Sequence, residues 1–260
     1  MILRKLSTHR EYLQAEDVQR KVWGYPEREV IPLNELVVVQ KNGGHVFGAF
    51  EGARMIAFCW GLPGYDGKRV YHCSRMLGVL PGRRDAGLGR ALKLKQRDFA
   101  LAQGLDLIRW TFDPLQSRNA YFNIEKLGCV VREYTVNLYG TSGSRFNVGW
   151  ATDRVGPEWW IRSQRVRERL AGRRRPPSID DALALPSAAR GRGREKRVTI
   201  EIPHDIEAVK RESLKRARAW RLRVRGLFLD AFKRGYAATG FATGGDRRSL
   251  YILERGFRLR

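Results

Sequence analysis

Apolar and polar positions along the first 140 residues follow two periods, one of about two residues and one of about 3.6. The period-two segments predict strands at 1–6, 45–52, 54–63, 69–81, 105–114 and 129–140. Helical spacing predicts helices at 7–24, 88–104 and 117–128, with Ser7 or Thr8 as the first N-cap and Ser117 as the last. Residues 25–44 read as a connection with room for one short helix.

This order of elements predicts a mixed, mostly antiparallel α/β sheet. A glycine-containing turn at Gly52 favours a hairpin between the second and third strands. The strands before and after the helix at 88–104 are expected to form a parallel crossover pair. We therefore expect one α/β core over residues 1–145.

The remainder, 146–260, is expected to form a C-terminal α/β extension. A short strand and a basic helix are predicted within 153–175, and 171–197 is linker-like, being rich in Pro, Ala, Gly and Arg. Residues 198–260 predict a strand, a long helix and two strands. That order weakly repeats the strand, helix, glycine and strand of 105–140.

The charge of the chain is far from ordinary, with a formal net charge of +23 and a pI of about 10.7. Such a field favours anionic partners, which include nucleic acid and a polyanionic co-substrate. Basic runs at 169–177 and 190–197 support a non-catalytic nucleic-acid-binding protein as the alternative function. Aromatic residues interleave poorly with these runs, and no zinc-finger or RNA-recognition signature is present, so this alternative ranks second.

Cysteine and histidine usage predicts neither disulfides nor a metal site. Cys59, Cys73 and Cys129 are widely spaced within apolar or strand-like runs, which is typical of free thiols. The four histidines show no metal-ligand spacing with them. No apolar run approaches the roughly 20 residues that span a bilayer, and the N-terminus lacks the apolar segment of a signal peptide. We therefore expect no metal, no membrane partner and a cytoplasmic location.

The loop "VLPGRRDAGLGRAL", at 79–92, joins a predicted strand to a predicted helix. Glycines at 82, 87 and 89 let the backbone turn tightly and approach a ligand without Cβ atoms in the way. The first N–H groups of the helix are unpaired, and its dipole adds positive charge. With Arg83, Arg84 and Arg90 close in sequence, the loop predicts a cradle for a pyrophosphate.

The same loop resembles the acyl-CoA-binding motif of the GCN5-related N-acetyltransferases (GNAT), V-x-P-x-x-R/Q-x-x-G-x-G/A. The segment "NAYFNIEKLGC" resembles that family's second motif, in which a helix ends in lysine, leucine and glycine before a strand. The resemblance covers about residues 1–140 and points to an uncharacterised branch of acyltransferases. It implies a GNAT-type sheet and an acyl-CoA-dependent N-acyltransferase, with acetyl-CoA or another acyl-CoA as co-substrate and no metal.

The resemblance also implies site residues. Backbone around Leu77 and Val79 would pair with the pantetheine arm, and Asn119 and Asn123 could contact pantetheine or the thiol end. The loop residues would wrap the pyrophosphate: Arg84, Asp85, Ala86, Gly87, Leu88, Gly89 and Arg90. Similar proteins make a small amine such as an amino acid the expected acceptor, and acetyl or succinyl the expected acyl group. A homodimer is left open.

Two positions depart from the family pattern. Asp85 stands where glycine is usual and places a negative charge beside the expected pyrophosphate. Ile124 stands where many relatives carry the tyrosine that protonates the leaving thiolate. Tyr121, three residues earlier, could partly substitute for it; Tyr134 and Tyr139 are further candidates.

The general base has three candidates. His72 lies on the strand that leads to the loop and titrates in a suitable range. Glu35 lies in the connection that often shapes the acceptor pocket of similar proteins. Asp113 precedes Pro114, where an aspartate is typical of a strand-end turn. A core role for His72, or a solvated one for Glu35, is the competing interpretation.

Overall fold

The computed structural model describes residues 1–84, 87–140, 150–189, 195–244 and 247–259 and contains both strands and helices. The strands within these ranges are Ile2–Lys5 (β1), His45–Glu51 (β2), Arg54–Tyr65 (β3), Val70–Val79 (β4), Leu107–Arg109 (β5), Val130–Thr135 (β6), Arg154–Trp160 (β7), Arg197–Pro203 (β8), Tyr236–Thr243 (β9) and Arg248–Arg255 (β10). The helices are His9–Trp23 (α1), Leu33–Lys41 (α2), Leu88–Ala102 (α3), Ser117–Tyr121 (α4), Gln164–Leu170 (α5), Ile179–Leu183 (α6), Ile206–Glu212 (α7) and Leu214–Lys233 (α8).

The chain divides into two compact units. Met1–Trp110 and Gly140–Ala151 form the first, and Thr111–Tyr139 and Thr152–Arg260 form the second. The division between the two units does not coincide with the boundary predicted at residue 145. The segment after β5, Thr111–Tyr139, belongs to the second unit together with the C-terminal elements. An acyl-CoA-binding core over 1–145 stays a prediction.

In the first unit the strand order is β1-β2-β3-β4-β5. The β1–β2, β2–β3 and β3–β4 pairs are antiparallel, and β4–β5 is parallel. The predicted hairpin at Gly52 and the predicted parallel crossover pair are both present. The connection from β4 to β5 runs through α3, because two parallel neighbours can be joined only by a long crossover.

Helices cover both faces of this first sheet. On one face, α1 and α2 bury a cluster that contains Leu36, Phe58 and Trp60. Gly78 allows the close approach of α1, since a Cβ there would lie 2.7 Å from the Trp23 ring. On the other face, α3 buries Leu88 and Leu92 against Ala57 and Cys59 of β3. Two covered faces leave the strand ends and gaps in the sheet as places for a ligand.

In the second unit the strand order is β7-β6-β9-β10-β8, with antiparallel pairing throughout the named strands. Next to β7, Phe112 forms an isolated β-bridge with Val155. At the opposite side of this strand order, β8 pairs with β10. A left-handed glycine precedes a strand twice in this unit: Gly128, with φ of +83°, before β6, and Gly235, with φ of +80°, before β9. The weak repeat of 105–140 stays a prediction.

Several boundaries differ from the expectation. Ser117 is not the N-cap of α4: Gln116 holds that position, and the Ser117 hydroxyl lies 2.8 Å from that of Ser249. A π-helical turn, Phe122–Lys126, follows α4. The single long helix predicted at 205–235 is broken at Ser213, which caps α8 through its side chain. The linker-like segment contains α6, whose Ala182 packs against Ala242 and Leu250.

Candidate acyl-CoA and acceptor site

A β-bulge in β4 is the central feature of the site. The register with β3 shifts between Trp60–Met76 and Gly61–Ser74, so Arg75 is the extra residue. The parallel pairing with β5 involves only His72 and Cys73. From Ser74 to Val79, β4 pairs with β3 on one edge. Its other edge, on the β5 side, has no strand partner over these residues among the described residues of the first unit. An extended ligand could pair with these free backbone groups as an added strand does.

The predicted cradle lies directly after this free edge. Gly87 is the N-cap of α3 and has a φ of +75°, in the left-handed region that favours glycine. A Cβ at Gly87 would meet nothing within 4 Å, so the space in front of the helix N-terminus is open. Among the described residues, no side chain caps this end of α3, and a helix N-terminus of this kind can bind an anion.

The structure brings most of the described cradle residues together. Leu77 and Val79 pack in the same cluster as Leu88, and Gly89 lies beside Leu77. The Arg84 Nε lies 3.5 Å from the Val79 carbonyl. Arg83 is already engaged, since it forms an exposed ion pair with Glu51 at 2.8 Å. Asp85 and Ala86 lie outside the described residues.

A cavity of about 410 Å³ opens on the other side of β4, on the face that α2 covers. Two strands and one helix line it with Ile31, Glu35, Val39, Trp60, Leu62, Pro63, Gly64, Tyr71, Cys73 and Arg75. Its volume is within the range of small-molecule sites, about 300–1,000 Å³. Burial raises the pKa of the Cys73 thiol, so this side chain contributes a neutral wall. Glu35 lies on the wall of this cavity; its place in an acceptor pocket stays a prediction.

A polar cluster supports β4 from the α3 side. The Lys93 ammonium donates to the Ser74 hydroxyl at 2.9 Å and lies 3.5 Å from the centroid of the Trp110 ring. It also lies 3.4 Å from the Gln96 carbonyl oxygen. Ser74 and Lys93 are almost completely buried. Buried polar groups that are satisfied in this way fix strand positions, and this cluster lies where β4 and β5 separate.

His72 belongs to this buried layer and does not line the cavity. Its Nε2 lies 3.1 Å from Nε2 of His45, which in turn lies 2.8 Å from the Gln96 amide nitrogen. Burial, followed by the charge of Lys93, lowers the pKa of His72 to about 4. A general base must reach the proton that it removes, directly or through one water. Of these two candidates, Glu35 lies on the cavity wall and His72 does not.

The predicted residues of the second motif lie in the second unit. Asn119 is exposed on α4, whereas Asn123 is buried in the π-helical turn. Tyr121 is half-buried, and the Lys126 ammonium lies 5.4 Å from its ring centroid. Ile124 is completely buried. A tyrosine at position 124 would need a different packing arrangement, which is a physical reason for the departure from the family pattern.

Three further candidates are engaged in ion pairs or hydrogen bonds of the second unit. Asp113 accepts two hydrogen bonds from Arg221, at 2.8 and 2.5 Å. The Tyr134 hydroxyl donates to Asp153 at 2.6 Å, and burial, followed by this hydrogen bond, raises its pKa. The Tyr139 hydroxyl lies 2.9 Å from that of Thr111. The ion pair with Arg221 gives Asp113 a structural role, so a role as general base is not needed to explain an aspartate at this position.

Sequence reasoning missed Arg75, Trp60 and Tyr71 as cavity residues. The cavity that they line forms where α2 packs over β3 and β4, and this packing is not visible in the alternation of the sequence. Lys93 was missed as well. A signal was available there, because a lysine on the apolar side of α3 requires buried polar partners.

Comparison with solved structures identifies the fold. Naa20 from Chaetomium thermophilum, in complex with a bisubstrate analogue, is 12% identical and aligns over 66% of this chain and 90% of its own, with a TM-score of 0.50. A protein assigned to the GNAT family of acetyltransferases, from Desulfovibrio desulfuricans, is 18% identical over 60% and 96%, with a TM-score of 0.49. The ribosomal-protein-S18-alanine N-acetyltransferase from Escherichia coli is 16% identical over 62% and 93%, also at 0.49.

The chain has the fold of the GCN5-related N-acetyltransferases. This confirms the mixed, mostly antiparallel α/β sheet predicted from the sequence. No protein-family model and no curated protein matches the sequence. No helix of the described residues is long and apolar enough to cross a membrane. Nor do the described histidines, cysteines and acids form a group of three that could hold a metal.

Proposed function

We propose that this protein is an acyl-CoA-dependent N-acyltransferase. One observation carries the proposal: the free edge of β4 leads directly into an open helix N-terminus whose N-cap, Gly87, is left-handed. Acyl-CoA has an extended pantetheine arm and a pyrophosphate in that order, and it supplies an activated thioester carbonyl. Arg84, Leu88, Gly89 and Arg90 would hold the pyrophosphate, and Leu77 and Val79 the pantetheine arm.

The arrangement of the two faces supports transfer to an amine. The cradle and the cavity lie on opposite sides of β4, so an acceptor in the cavity would meet the thioester at the bulge. Backbone amides near the bulge are candidate donors to the thioester oxygen, which gains negative charge during attack. Acetyl or succinyl is the acyl group we propose, with a small molecule as the acceptor.

Glu35 is the group we propose for proton removal. An amine must be neutral to attack, and deprotonation at pH 7 costs about 4–5 kcal/mol for a lysine-like amine but only about 1–1.5 kcal/mol for an α-amine. Glu35 accepts the proton of the ammonium group. The nitrogen then bonds to the carbonyl carbon, and the C–S bond breaks with its electron pair on sulfur. The nitrogen loses its second proton and the thiolate takes one up, so one proton is released overall.

Release of free CoA thiol tests this function directly. Acetyl-CoA and succinyl-CoA are each incubated with the full chain and a panel of amines, and thiol release is compared with release in the absence of amine. Amine-dependent release, together with mass-spectrometric detection of the amide product, is the expected result. Release that no amine accelerates would contradict transfer to nitrogen.

A further inference from the structure

Glu35 and Arg75 carry opposite charges on the wall of one cavity, yet they do not pair with each other. Among the described residues, neither side chain has an ion-pair partner, although most acidic side chains of this unit have one. Both are exposed in the absence of a ligand. A ligand that carries an ammonium and a carboxylate group would satisfy both charges at once.

Strand alternation explains why Arg75 faces the cavity. In a strand, neighbours point to opposite faces, and Ser74 points to α3, so Cys73 and Arg75 point to the cavity. The bulge then brings Met76 to the same side as Arg75. Its guanidinium carbon lies 5.9 Å from the centroid of the Trp60 ring. A planar guanidinium beside a ring is well suited to bind a carboxylate through two parallel hydrogen bonds.

The rest of the wall is apolar or aromatic. Ile31 and Val39 contribute from the α2 side, and Leu62, Pro63 and Trp60 from β3. Trp60 is nearly completely buried in the core cluster, so it forms a rigid wall. Such a surface favours an apolar side chain over a hydroxylated one, because polar groups of the ligand would lose water without replacement.

We infer that the acceptor is an α-amino acid with an apolar or aromatic side chain. Arg75 binds the carboxylate, Glu35 receives the amine, and the apolar wall receives the side chain. This inference rests on the proposed acyltransfer at the same site. A polycationic acceptor would bring like charge against Arg75, and an internal peptide or a simple amine would leave Arg75 without a carboxylate.

The test compares four probes that differ by one group: L-phenylalanine, L-phenylalaninamide, 2-phenylethylamine and L-aspartate. Thiol release and calorimetric binding to the CoA-loaded protein are both measured. We expect L-phenylalanine to be preferred over its amide roughly 10- to 100-fold in kcat/KM, which is the range for a hydrogen bond to a charged group. L-Aspartate is expected to be the poorest of the amino acids.

Arg75→Gln should remove the preference for the carboxylate by lowering kcat/KM for L-phenylalanine while leaving that for the amide unchanged. Arg75→Lys should restore part of it. The matched control is Arg10→Gln, since Arg10 is exposed on α1, outside the cavity. Equal use of the acid and the amide, with thiol release intact, would overturn the inference and leave the acyltransferase function standing. Absence of thiol release and CoA binding would overturn the function itself.

Discussion

The Nε2 atoms of His45 and His72 lie 3.1 Å apart inside the first unit, with their rings 18° from parallel. Both rings are completely buried. Burial lowers the pKa of both; the charge of the neighbouring His72 lowers that of His45 further. The pair therefore consists of two neutral imidazoles at neutral pH, and protonation of either ring opposes folding.

The stability of the protein should fall as pH decreases from about 6.5 to about 4. Histidines in the unfolded chain titrate near 6.5, whereas His72 in the folded state has a pKa of about 4. In this window the unfolded state binds more protons, so acid favours unfolding, and above about 6.5 the contribution is complete. The free energy of unfolding, measured with urea at pH 7.0, 5.5 and 4.5, checks this.

The histidine contribution is separated by variants, because carboxylates also titrate in acid. His72→Gln should make the dependence between pH 6.5 and 4 shallower, whereas His9→Gln, an exposed matched control, should leave it unchanged. Equal slopes for wild type and the His72 variant would show that the buried pair does not control acid stability.

Gly87→Val should abolish binding of acetyl-CoA. The side chain would fill the open space before α3, where we propose that the pyrophosphate binds. The φ of +75° also makes any branched residue costly, by about 1–3 kcal/mol. Gly67→Val is the matched control, since Gly67 has a φ of +87° and equally open surroundings in the turn after β3.

The two glycine variants should therefore lose similar stability but differ in binding. Thermal unfolding measures the first effect, and calorimetry the second. Retention of acetyl-CoA binding by folded Gly87→Val would remove the loop from the binding site.

Glu35→Gln should lower kcat by about 10²- to 10⁴-fold and leave acetyl-CoA affinity unchanged, as expected for loss of a general base. The amide keeps the shape of the side chain but cannot accept the proton of the amine. The pH–rate profile of the wild type is compared with those of Glu35→Gln, His72→Gln and the exposed control Asp106→Asn. If His72→Gln removes the acidic limb of the profile and Glu35→Gln does not, the base has been assigned to the wrong residue.

Arg169→Met should destabilise the protein by about 3–5 kcal/mol, because it leaves Glu125 buried without its cation. Arg169 pairs with Glu125 at 2.5 Å, and both side chains are almost fully buried. The other Glu125 oxygen accepts from the Phe241 amide at 2.8 Å, which links the π-helical turn to β9. Arg167→Met, on the exposed side of the same helix, should change stability by less than about 0.5 kcal/mol. Similar losses for both variants would contradict this.

Much of the fold was accessible from the sequence because its elements have strong local signals. Alternating segments gave β2, β3 and β4 within two residues at each end, and the glycine at 104 follows the end of α3. The break between α7 and α8 was missed because Ser213 is one polar residue within a continuous basic pattern. β5 was predicted too long: the strand is Leu107–Arg109, and beyond it Phe112 forms only an isolated bridge with Val155.

The site was accessible only in part. The helix start after a glycine loop could be predicted, because glycines before an amphipathic helix have a local meaning; its role as a pyrophosphate cradle stays a prediction. The cavity could not be predicted, because it depends on how residues from α2, β3 and β4 that are distant in sequence pack together. The burial of His72 also depends on its partner His45, 27 residues away.

Calorimetric titration of acetyl-CoA and free CoA into the full chain, at low and at moderate salt, tests the central claim most directly. A duplex DNA of mixed sequence is titrated in parallel, because the net charge of +23 makes nonspecific anion binding a competing explanation. The acyltransferase proposal predicts saturable one-to-one binding of both CoA compounds that persists at moderate salt. No CoA binding, together with tight DNA binding that salt abolishes, would contradict it and favour a nucleic-acid-binding protein built on the same fold.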